Sequence, residues 1–474
     1  MNIPRTLRPL RWRLKPAERR LILLLGDLSM SWISLVVSLY FWSQRDQWLN
    51  FSMEFIKVRP ASWFYFLPVF WILLIVELYD VRRASRRNDT IRGVGIAAAI
   101  SFAIYLLLFF LSEPNSLPRI GFAGFIIATS VLTIIWRLIY INVFTAQQFM
   151  RRVLIVGAGR AGTTLVQALS KVKPLPFHIV GYVDDDVEKQ GQIIEKLPIV
   201  GKGNDLLQLI DEENISDLIF AISGEMNQIL FQNLLQAEEQ GIEITTMPIV
   251  YEDLLGRVPI MLLQSDWILR SFVDQAHAGG FYEVVRRLMD IIGGLVGLVI
   301  LLICTPFISL AILIGNGRPV FFSQNRLGIN GQTYRITKFR TMQKDAEKDG
   351  KARMAVENDD RVTKIGRFLR KSHLDELPQF LSVLRGTMSL VGPRAERPEL
   401  VDMLQEQIPF YRARLFVNPG LTGWAQVNYG YASTIEHTIV KLEYDLYYIK
   451  HRNLLLDILI ILRTVGAVFG LRGQ

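Results

Sequence analysis

Five long apolar stretches constrain this 474-residue chain more than any other feature of its sequence. Four follow one another before residue 148, and the fifth lies near residue 300. A helix needs roughly 20 consecutive apolar residues to cross a bilayer, and the four N-terminal stretches reach or approach that length. We therefore predict a membrane protein whose residues 1–148 form a four-helix transmembrane block. The four stretches are Leu21–Trp42, Trp63–Tyr79, Ile96–Leu111 and Ile120–Phe144.

The flanks of these stretches predict the orientation of the block. The first 20 residues and the loop between the second and third stretches are rich in arginine, and Arg151 and Arg152 follow the fourth. The alternate loops contain few basic residues. Because Lys and Arg concentrate in short cytoplasmic loops, both ends of the block are predicted to be cytoplasmic. Arg137 lies within the fourth stretch, and we expect its side chain to snorkel to an interface.

Composition limits the chemistry that the chain can perform. The net charge of +9, from 53 Lys and Arg against 44 Asp and Glu, fits phosphorylated substrates, anionic lipid or nucleic acid. The only cysteine is Cys304, so no intrachain disulfide can form. The five histidines are scattered, without metal-ligand spacing, which argues against a zinc site.

Residues 150–272 read as a doubly wound α/β, Rossmann-like domain, because β-branched runs alternate with helical stretches. The run VLIVGAGRAG places Gly157, Gly159 and Gly162 in G-x-G-x-x-G spacing, and Asp184 ends the next strand. Such glycines let a pyrophosphate approach a helix N-terminus, and such an acid can hold a ribose hydroxyl. These four residues are the candidate nucleotide-binding set. No Tyr-x-x-x-Lys pair occurs here, so a nucleotide-sensing or structural role is favoured over nicotinamide catalysis.

The fifth apolar stretch is uncharged from residue 291 to residue 314 and contains Pro306 near its middle. Proline removes a helix hydrogen bond and kinks the helix. Both flanks are basic, and a crossing would place the last 160 residues or so on the other side of the membrane from the middle domain. A helix over 281–315 that enters and leaves by the same leaflet reconciles these features. The sequence therefore predicts a re-entrant membrane helix with Pro306 at its break.

The stretch from Thr363 to Arg394 contains the strongest candidate site. Pro378 follows the acidic pair Asp375–Glu376 by two residues, and proline favours the first helical turn, so both acids are predicted beside a helix N-terminus. Lys364, Arg367 and Lys371 fall on one helical face beside Arg370, opposite the apolar residues Ile365, Phe368 and Leu369. Carboxylates facing cations suit a magnesium ion and a nucleotide diphosphate. The alternative is an ordinary capped amphipathic helix with a solvated charged face.

Seven motifs in order make the C-terminal block recognisable. They are FFSQNRLGINGQ, KFRTM, KIGRFLR, LDELPQ, GTMSLVGPR, NPGLTGWAQV and LEYDLYYIK. Together they closely resemble the bacterial sugar transferase family of polyprenyl-phosphate glycosyl-1-phosphate transferases. The match spans about residues 281–474, and the arrangement of the whole chain resembles the long form of the family. It implies an α/β monotopic catalytic domain over 316–474.

The resemblance implies roles for individual residues. Asp375 corresponds to the nucleophile, Glu376 to the acid that supports magnesium, and Arg370 to a catalytic arginine five residues before the nucleophile. Mg²⁺ is the implied cofactor, with Asp375 and Glu376 as its ligands, and Pro306 marks the re-entrant break. The candidate substrate-binding residues are Lys338, Arg340, Arg367, Arg394 and Asp445. The chain departs from the family pattern at His373, Ala395 and Asn418, and the first two, which lie near the proposed site, bear on substrate preference.

The resemblance implies transfer of a sugar 1-phosphate from a UDP-sugar to undecaprenyl phosphate, with release of UMP through a covalent aspartyl-phosphosugar. This opens exopolysaccharide, capsule or O-antigen synthesis at the bacterial inner membrane, with the Rossmann-like and catalytic domains in the cytoplasm. The expected partners are the UDP-sugar, undecaprenyl phosphate, the lipid bilayer and a second copy of the chain in a homodimer, but no nucleic acid. Two alternatives stay open: a membrane-bound sugar-nucleotide dehydratase or epimerase, and a non-catalytic assembly scaffold.

Overall fold

The computed structural model describes most of the chain in two compact units that divide between Thr246 and Met247. The described ranges are 16–45, 48–79, 84, 87–111, 118–144, 151–172, 175, 177–222, 226–262, 280–343, 361–430 and 434–468. Residues 1–15, 80–83 and 85–86, which contribute to the predicted orientation, lie outside these ranges, as do residues 263–279 of the predicted middle domain.

Three of the four predicted N-terminal spans are long helices, and each is long and apolar enough to cross a membrane. They are Pro16–Ser43, Arg87–Leu111 and Arg119–Phe144. The second predicted span is wrong as a single long helix. Pro68 fits best in a first helical turn, and the α-helical part begins there after a separate 3₁₀ turn. The short segments in this part of the chain are Met53–Val58, Ser62–Phe66, Leu67–Leu74 and Val76–Tyr79.

A buried ion pair joins the first and last helices of this block. The guanidinium of Arg137 is 0% exposed, and its Nη2 lies 2.6 Å from Oδ2 of Asp27. Its Nη1 donates to the carbonyl of Leu78 at 2.7 Å, and the Tyr79 ring lies 5.1 Å from the guanidinium carbon. The snorkelling expectation is therefore wrong. Because a cation inside a helix bundle needs a counter-charge, Asp27 allows Arg137 to remain buried.

The middle of the chain folds into a six-stranded sheet flanked by helices. The strands are β1 Arg151–Val156, β2 Phe177–Val183, β3 Ile193–Ile194, β4 Leu197–Gly201, β5 Asp217–Phe220 and β6 Glu243–Thr246. The helices are Arg160–Ser170, Leu206–Glu212 and Gln228–Glu239, and 3₁₀ turns lie at Val187–Lys189 and Gly203–Asp205. The spatial order is β3-β4-β2-β1-β5-β6, and only β3 pairs antiparallel. The chain therefore winds outward from both sides of β1, which confirms the predicted doubly wound fold.

The second unit contains one long helix, Gly280–Asn316, which contacts the rest of the unit near both of its ends. Near the start, Arg286 donates to the carbonyl of Val391 at 2.7 Å. Near the end, the Ile365 side chain packs directly against Gly315. The predicted membrane helix is present as one continuous α-helix through Pro306, so the predicted break at Pro306 is not seen, and the re-entrant course stays a prediction. Its exposed apolar residues include Leu295, Val299, Leu302, Phe307, Leu310 and Ile314.

The rest of the second unit surrounds two small sheets. An antiparallel hairpin pairs β7 Phe321–Leu327 with β8 Thr333–Phe339, and 3₁₀ residues Ile329–Gly331 form its turn. A parallel pair joins β9 Ser389–Val391 with β10 Gly420–Thr422. The α-helices are Lys364–Lys371, Phe380–Arg385, Pro398–Gln405, Trp424–Asn428, Ile435–His451 and Leu454–Val468, with 3₁₀ helices at Leu374–Gln379 and Tyr411–Phe416.

The segment that follows β6 packs within the second unit. It comprises the helix Met247–Leu255 and the 3₁₀ turn Ile260–Leu262. Tyr251 donates to Glu443 at 3.1 Å, and Lys450 lies 2.8 Å from Glu252. The prediction continued the middle domain to residue 272, whereas these contacts place residues 247–262 with the C-terminal unit.

Replacing Asp27 with asparagine should strongly destabilise the helix block. Arg137 would stay buried without its counter-charge, and removing one partner of a buried pair costs about 3–5 kcal/mol. We expect Asp27→Asn to lower the thermal unfolding midpoint of the purified protein in detergent. The double variant Asp27→Leu/Arg137→Met removes both charges and should recover most of the loss. Unchanged unfolding of Asp27→Asn would contradict a stabilising role for the pair.

Candidate active site

Local sequence explains where the acidic pair lies. His373 adopts a left-handed conformation, with φ of 57°, and turns the chain from the helix Lys364–Lys371 into the 3₁₀ helix Leu374–Gln379. Asp375 and Glu376 occupy the first turn of that 3₁₀ helix. The acids therefore lie at a helix N-terminus, as predicted, although Pro378 lies near the end of this 3₁₀ helix and not in its first turn.

Three segments that are distant in sequence meet at Glu376. Lys338 of β8 lies 2.6 Å from its Oε1, and Nη2 of Arg394 donates to the same oxygen at 2.7 Å. Arg394 follows β9, while Glu376 lies in the 3₁₀ helix that packs against β8. Hydrogen bonds between ionised groups are about twice as strong as neutral ones. The two cations therefore fix the Glu376 carboxylate in place.

The two adjacent carboxylates have different electrostatic environments. Burial raises the pKa of Asp375, and the neighbouring charge of Glu376 raises it further, against the opposing effects of Lys338, Arg370 and Arg394. Burial also acts to raise the pKa of Glu376, but contacts with Arg394 and Lys338 outweigh it and hold that pKa well below its usual range. Glu376 is thus a fixed anion, while Asp375 is the more basic carboxylate.

Only part of the predicted basic helical face acts on the pair. Arg370 lowers the pKa of Asp375, and its Nε donates to Oγ1 of Thr341 at 3.0 Å. Lys364, Arg367 and Lys371 are exposed on the same helix. Phe368, which was predicted on the apolar face, is 65% exposed. The cations in direct contact with the pair come from Lys338 and Arg394 on other segments.

Two predicted substrate-binding residues make contacts inside the protein. Arg340 is buried and donates to the carbonyls of Gly317 and Arg318 at 2.6 and 2.9 Å, just beyond the C-terminal end of the long helix. Asp445 is 2% exposed and accepts from Nη2 of Arg414 at 2.8 Å. Both side chains therefore stabilise segments around the site rather than face the acidic pair.

Sequence reasoning assigned no role to Arg414 or Glu396. The structure places the Glu396 carboxylate among Lys441, Arg414 and Arg326, at 3.2, 3.6 and 3.7 Å. The only local signal is that Glu396 follows Arg394 by two positions. Its partners come from distant parts of the chain, so the cluster could not be inferred from spacing.

The glycine-rich loop of the middle domain has the predicted local geometry. Gly157 has φ of +109°, and Gly162 packs so closely against the Gly157 carbonyl that no side chain would fit. Gly159 caps the following helix. Oδ2 of Asp184 accepts from the backbone N–H of Ala158 at 2.7 Å, so this carboxylate closes the loop. Nucleotide binding there stays a prediction.

The acidic pair has the donor chemistry that magnesium needs. Mg²⁺ binds one or two carboxylates together with substrate phosphates and water. The raised pKa of Asp375 indicates that positive charge would favour its ionised form. Among the residues that the structure describes, no group of three or more His, Cys, Asp and Glu side chains forms a cation site. The carboxylates of Asp375 and Glu376 fit Mg²⁺ by their donor type, and its binding there stays a prediction.

Comparison with known proteins supplies the family. The bacterial sugar transferase model matches residues 281–471, and a CoA-binding domain model matches residues 74–248. A UDP-glucose:undecaprenyl-phosphate glucose-1-phosphate transferase from Klebsiella pneumoniae is 33% identical over 66% of this chain and 67% of its own. The chain belongs to the bacterial sugar transferase family. Membership identifies it as a transferase. Its apolar helices identify it as a membrane protein, and its six-stranded sheet forms an α/β middle domain.

Two other relatives act on different sugars, as their names state. The transferase is 39% identical to UDP-N-acetylgalactosamine-undecaprenyl-phosphate N-acetylgalactosaminephosphotransferase of Aeromonas hydrophila, over 47% of this chain and 52% of the relative. It is 29% identical to the UDP-glucose:undecaprenyl-phosphate glucose-1-phosphate transferase of Xanthomonas campestris pv. campestris, over 78% and 77%. The chain thus spans about half the length of the Aeromonas relative.

Removing the charge of Arg370 should move the pH dependence of the transferase. Arg370 favours ionised Asp375, so Arg370→Ala raises the pKa of Asp375 further. If the ionised carboxylate is the reactive form, the acid limb of kcat/KM shifts to higher pH. Lys371→Ala, an equal charge change at an exposed neighbouring position, should leave the limb where it is. A downward shift for Arg370→Ala, or equal shifts for both variants, would contradict this electrostatic role.

Proposed function

We propose that this chain transfers a sugar 1-phosphate from a UDP-sugar to undecaprenyl phosphate, with release of UMP, at the cytoplasmic face of the bacterial inner membrane. The different states of two adjacent carboxylates are the observation that carries the proposal. Glu376 is held by Lys338 and Arg394, whereas Asp375 has a raised pKa and is the better nucleophile. This is the first membrane step of polysaccharide synthesis, such as that of exopolysaccharide, capsule or O-antigen.

The first half-reaction forms a covalent intermediate on Asp375. A carboxylate oxygen attacks the β-phosphorus of the UDP-sugar, and the bond from that phosphorus to the oxygen bridging the two phosphates breaks. UMP leaves with the bridging oxygen and its electron pair. Arg370 and Arg394 lie where they can offset charge on the phosphoryl group, because both act electrostatically on Asp375.

The second half-reaction returns the carboxylate to its free form. An oxygen of undecaprenyl phosphate attacks the phosphorus of the aspartyl-phosphosugar, and the bond to Asp375 breaks. The product is the undecaprenyl diphosphosugar. When bound, Mg²⁺ supplies charge neutralisation for the phosphate oxygens, with Asp375 and Glu376 as its protein ligands. Lys338 and Arg394 keep the Glu376 carboxylate oriented throughout.

The helix Gly280–Asn316 supports a location at one membrane surface. It is on the order of 54 Å long, yet residues near both ends contact the same catalytic unit, through Arg286 and through Gly315. A helix that crossed the bilayer would carry its two ends to opposite sides. We infer that it enters and leaves by one leaflet, with its exposed apolar residues in lipid. This brings the acidic pair to the depth of the acceptor phosphate.

The rival reactions have less support. A dehydratase or epimerase would use the Rossmann-like domain, where Asp184 is bound to the N–H of Ala158 and the Tyr-x-x-x-Lys pair is missing from the sequence. A scaffold with a degenerate catalytic unit would not need the contacts of Lys338 and Arg394 with Glu376. The UMP-release assay tests the scaffold, and incubation of the same UDP-sugars with NAD tests the dehydratase or epimerase.

UMP release tests the proposal. Purified protein is incubated with undecaprenyl phosphate, Mg²⁺ and each of a panel of UDP-sugars, including UDP-glucose and UDP-N-acetylgalactosamine. We expect UMP from at least one donor, loss of activity on chelation of Mg²⁺, and a fall of at least about a thousandfold for Asp375→Asn, which removes the nucleophile. Asp402→Asn, at an exposed acid of the same unit, should retain the wild-type rate.

Two results would count against the proposal. An Asp375→Asn variant that releases UMP at a near wild-type rate excludes the covalent route. No UMP from any donor with the wild-type protein favours the scaffold, and NAD-dependent conversion of a UDP-sugar favours the dehydratase or epimerase.

A further inference from the structure

The segment that carries Arg394 is held by its backbone carbonyls. Each of the four consecutive carbonyls from Pro393 to Glu396 accepts one hydrogen bond from a different residue elsewhere in the unit. The donors, in order, are the N–H of Gly420 at 2.9 Å, Nη2 of Arg414 at 3.1 Å, Nη1 of Arg326 at 3.2 Å and the N–H of Leu327 at 3.0 Å. The segment is thus fixed on all four residues.

The two central carbonyls differ from the outer two because side chains, not backbone, supply their donors. Buried carbonyls need hydrogen-bond partners, and a neighbouring strand normally provides them. Here the backbone of β10 reaches only the first carbonyl, and the backbone of β7 reaches only the last. Arg414 and Arg326 bridge the gap at Arg394 and Ala395.

Arg414 is well placed for this task because its other contacts fix it completely. It is 4% exposed, and Nη2 also donates to Oδ2 of Asp445 at 2.8 Å. Nη1 donates to the hydroxyl of Tyr411 at 2.6 Å. A guanidinium with this many partners can hold a carbonyl without moving, because its planar donors are pre-organised.

One carboxylate is shared by three cations of this cluster. Glu396 lies near Lys441, Arg414 and Arg326. Burial acts to raise the pKa of Glu396, but these three cations outweigh it and lower the pKa to about 2. Glu396 therefore stays ionised at neutral pH, and the buried cations have their counter-charge.

We propose that Arg414 is a positioning residue for Arg394. By holding the Arg394 carbonyl, it keeps the Arg394 guanidinium against Oε1 of Glu376, and Asp445 keeps Arg414 in place. The rate effects of this arrangement rest on the proposed function, whereas its effects on the backbone do not. Asp445, predicted to bind substrate, acts here through Arg414.

A double-mutant cycle tests whether Arg414 acts through Arg394. Supporting groups of this kind typically contribute about tenfold to a hundredfold. We expect Arg414→Lys to lower kcat for UMP release by that factor, and Asp445→Asn to lower it in the same direction. In an Arg394→Ala background, Arg414→Lys should lower kcat by less than about twofold, because the group that it positions has been removed. Equal fold losses in both backgrounds would overturn the proposal.

Hydrogen exchange provides a readout that does not depend on activity. Exchange rates report local opening of the backbone. In full-length protein in detergent, Arg414→Lys should speed amide exchange in the peptide that covers Pro393–Arg397, and Asp445→Asn should do so to a smaller degree. The control is Arg412→Lys, because Arg412 is 53% exposed on the same 3₁₀ helix and should change neither exchange nor kcat.

The two measurements separate the possible failures. Unchanged exchange in Arg414→Lys overturns the positioning role, whatever the enzyme's reaction. Faster exchange together with no UMP release by the wild-type protein supports the positioning of the segment and rejects the proposed reaction. If Arg414→Lys fails to fold, Asp445→Asn, which keeps the side-chain volume, carries both tests.

Discussion

The contact of Glu376 with Lys338 and Arg394 is the interaction on which the rest of the site depends. Oε1 of Glu376 lies 2.6 Å from Nζ of Lys338 and 2.7 Å from Nη2 of Arg394. These contacts join β8, the acidic 3₁₀ helix and the segment after β9. Without these two cations, burial would raise the pKa of both adjacent carboxylates. By binding one of them, the cations leave Asp375 buried and the more basic of the two, which suits its proposed attack on phosphorus.

The long helix and the small catalytic unit form one structure around this contact. Gly293, Gly294 and Gly297 leave room for Leu390, Leu384 and Phe380 to approach the helix closely. These three partners lie in the segment that directly follows the acidic pair, so packing against the helix holds that segment in place. The exposed apolar residues of the helix remain available for lipid, as the proposed reaction with a membrane-bound acceptor requires.

Local patterns predicted much of this structure. Apolar length predicted three of the N-terminal helices and the helix Gly280–Asn316, glycine spacing predicted the doubly wound domain, and Pro378 predicted the position of the acidic pair. Contacts between distant residues were not predictable. Nothing near Arg137 in the sequence points to Asp27, and nothing near Arg394 points to Arg414. The family resemblance placed Arg340 and Asp445 at the substrate. It could not show that each side chain bonds to a distant part of the protein instead.

Identification of the residue that becomes phosphorylated by the donor is the most direct test of the account. The protein would be mixed with the active UDP-sugar in the absence of undecaprenyl phosphate, quenched, digested and analysed by fragmentation mass spectrometry. The account predicts a phosphosugar adduct on Asp375 and none on Glu376, with one UMP released for each adduct formed. An adduct on Glu376, or full turnover without any adduct, would contradict the division of roles between the two carboxylates.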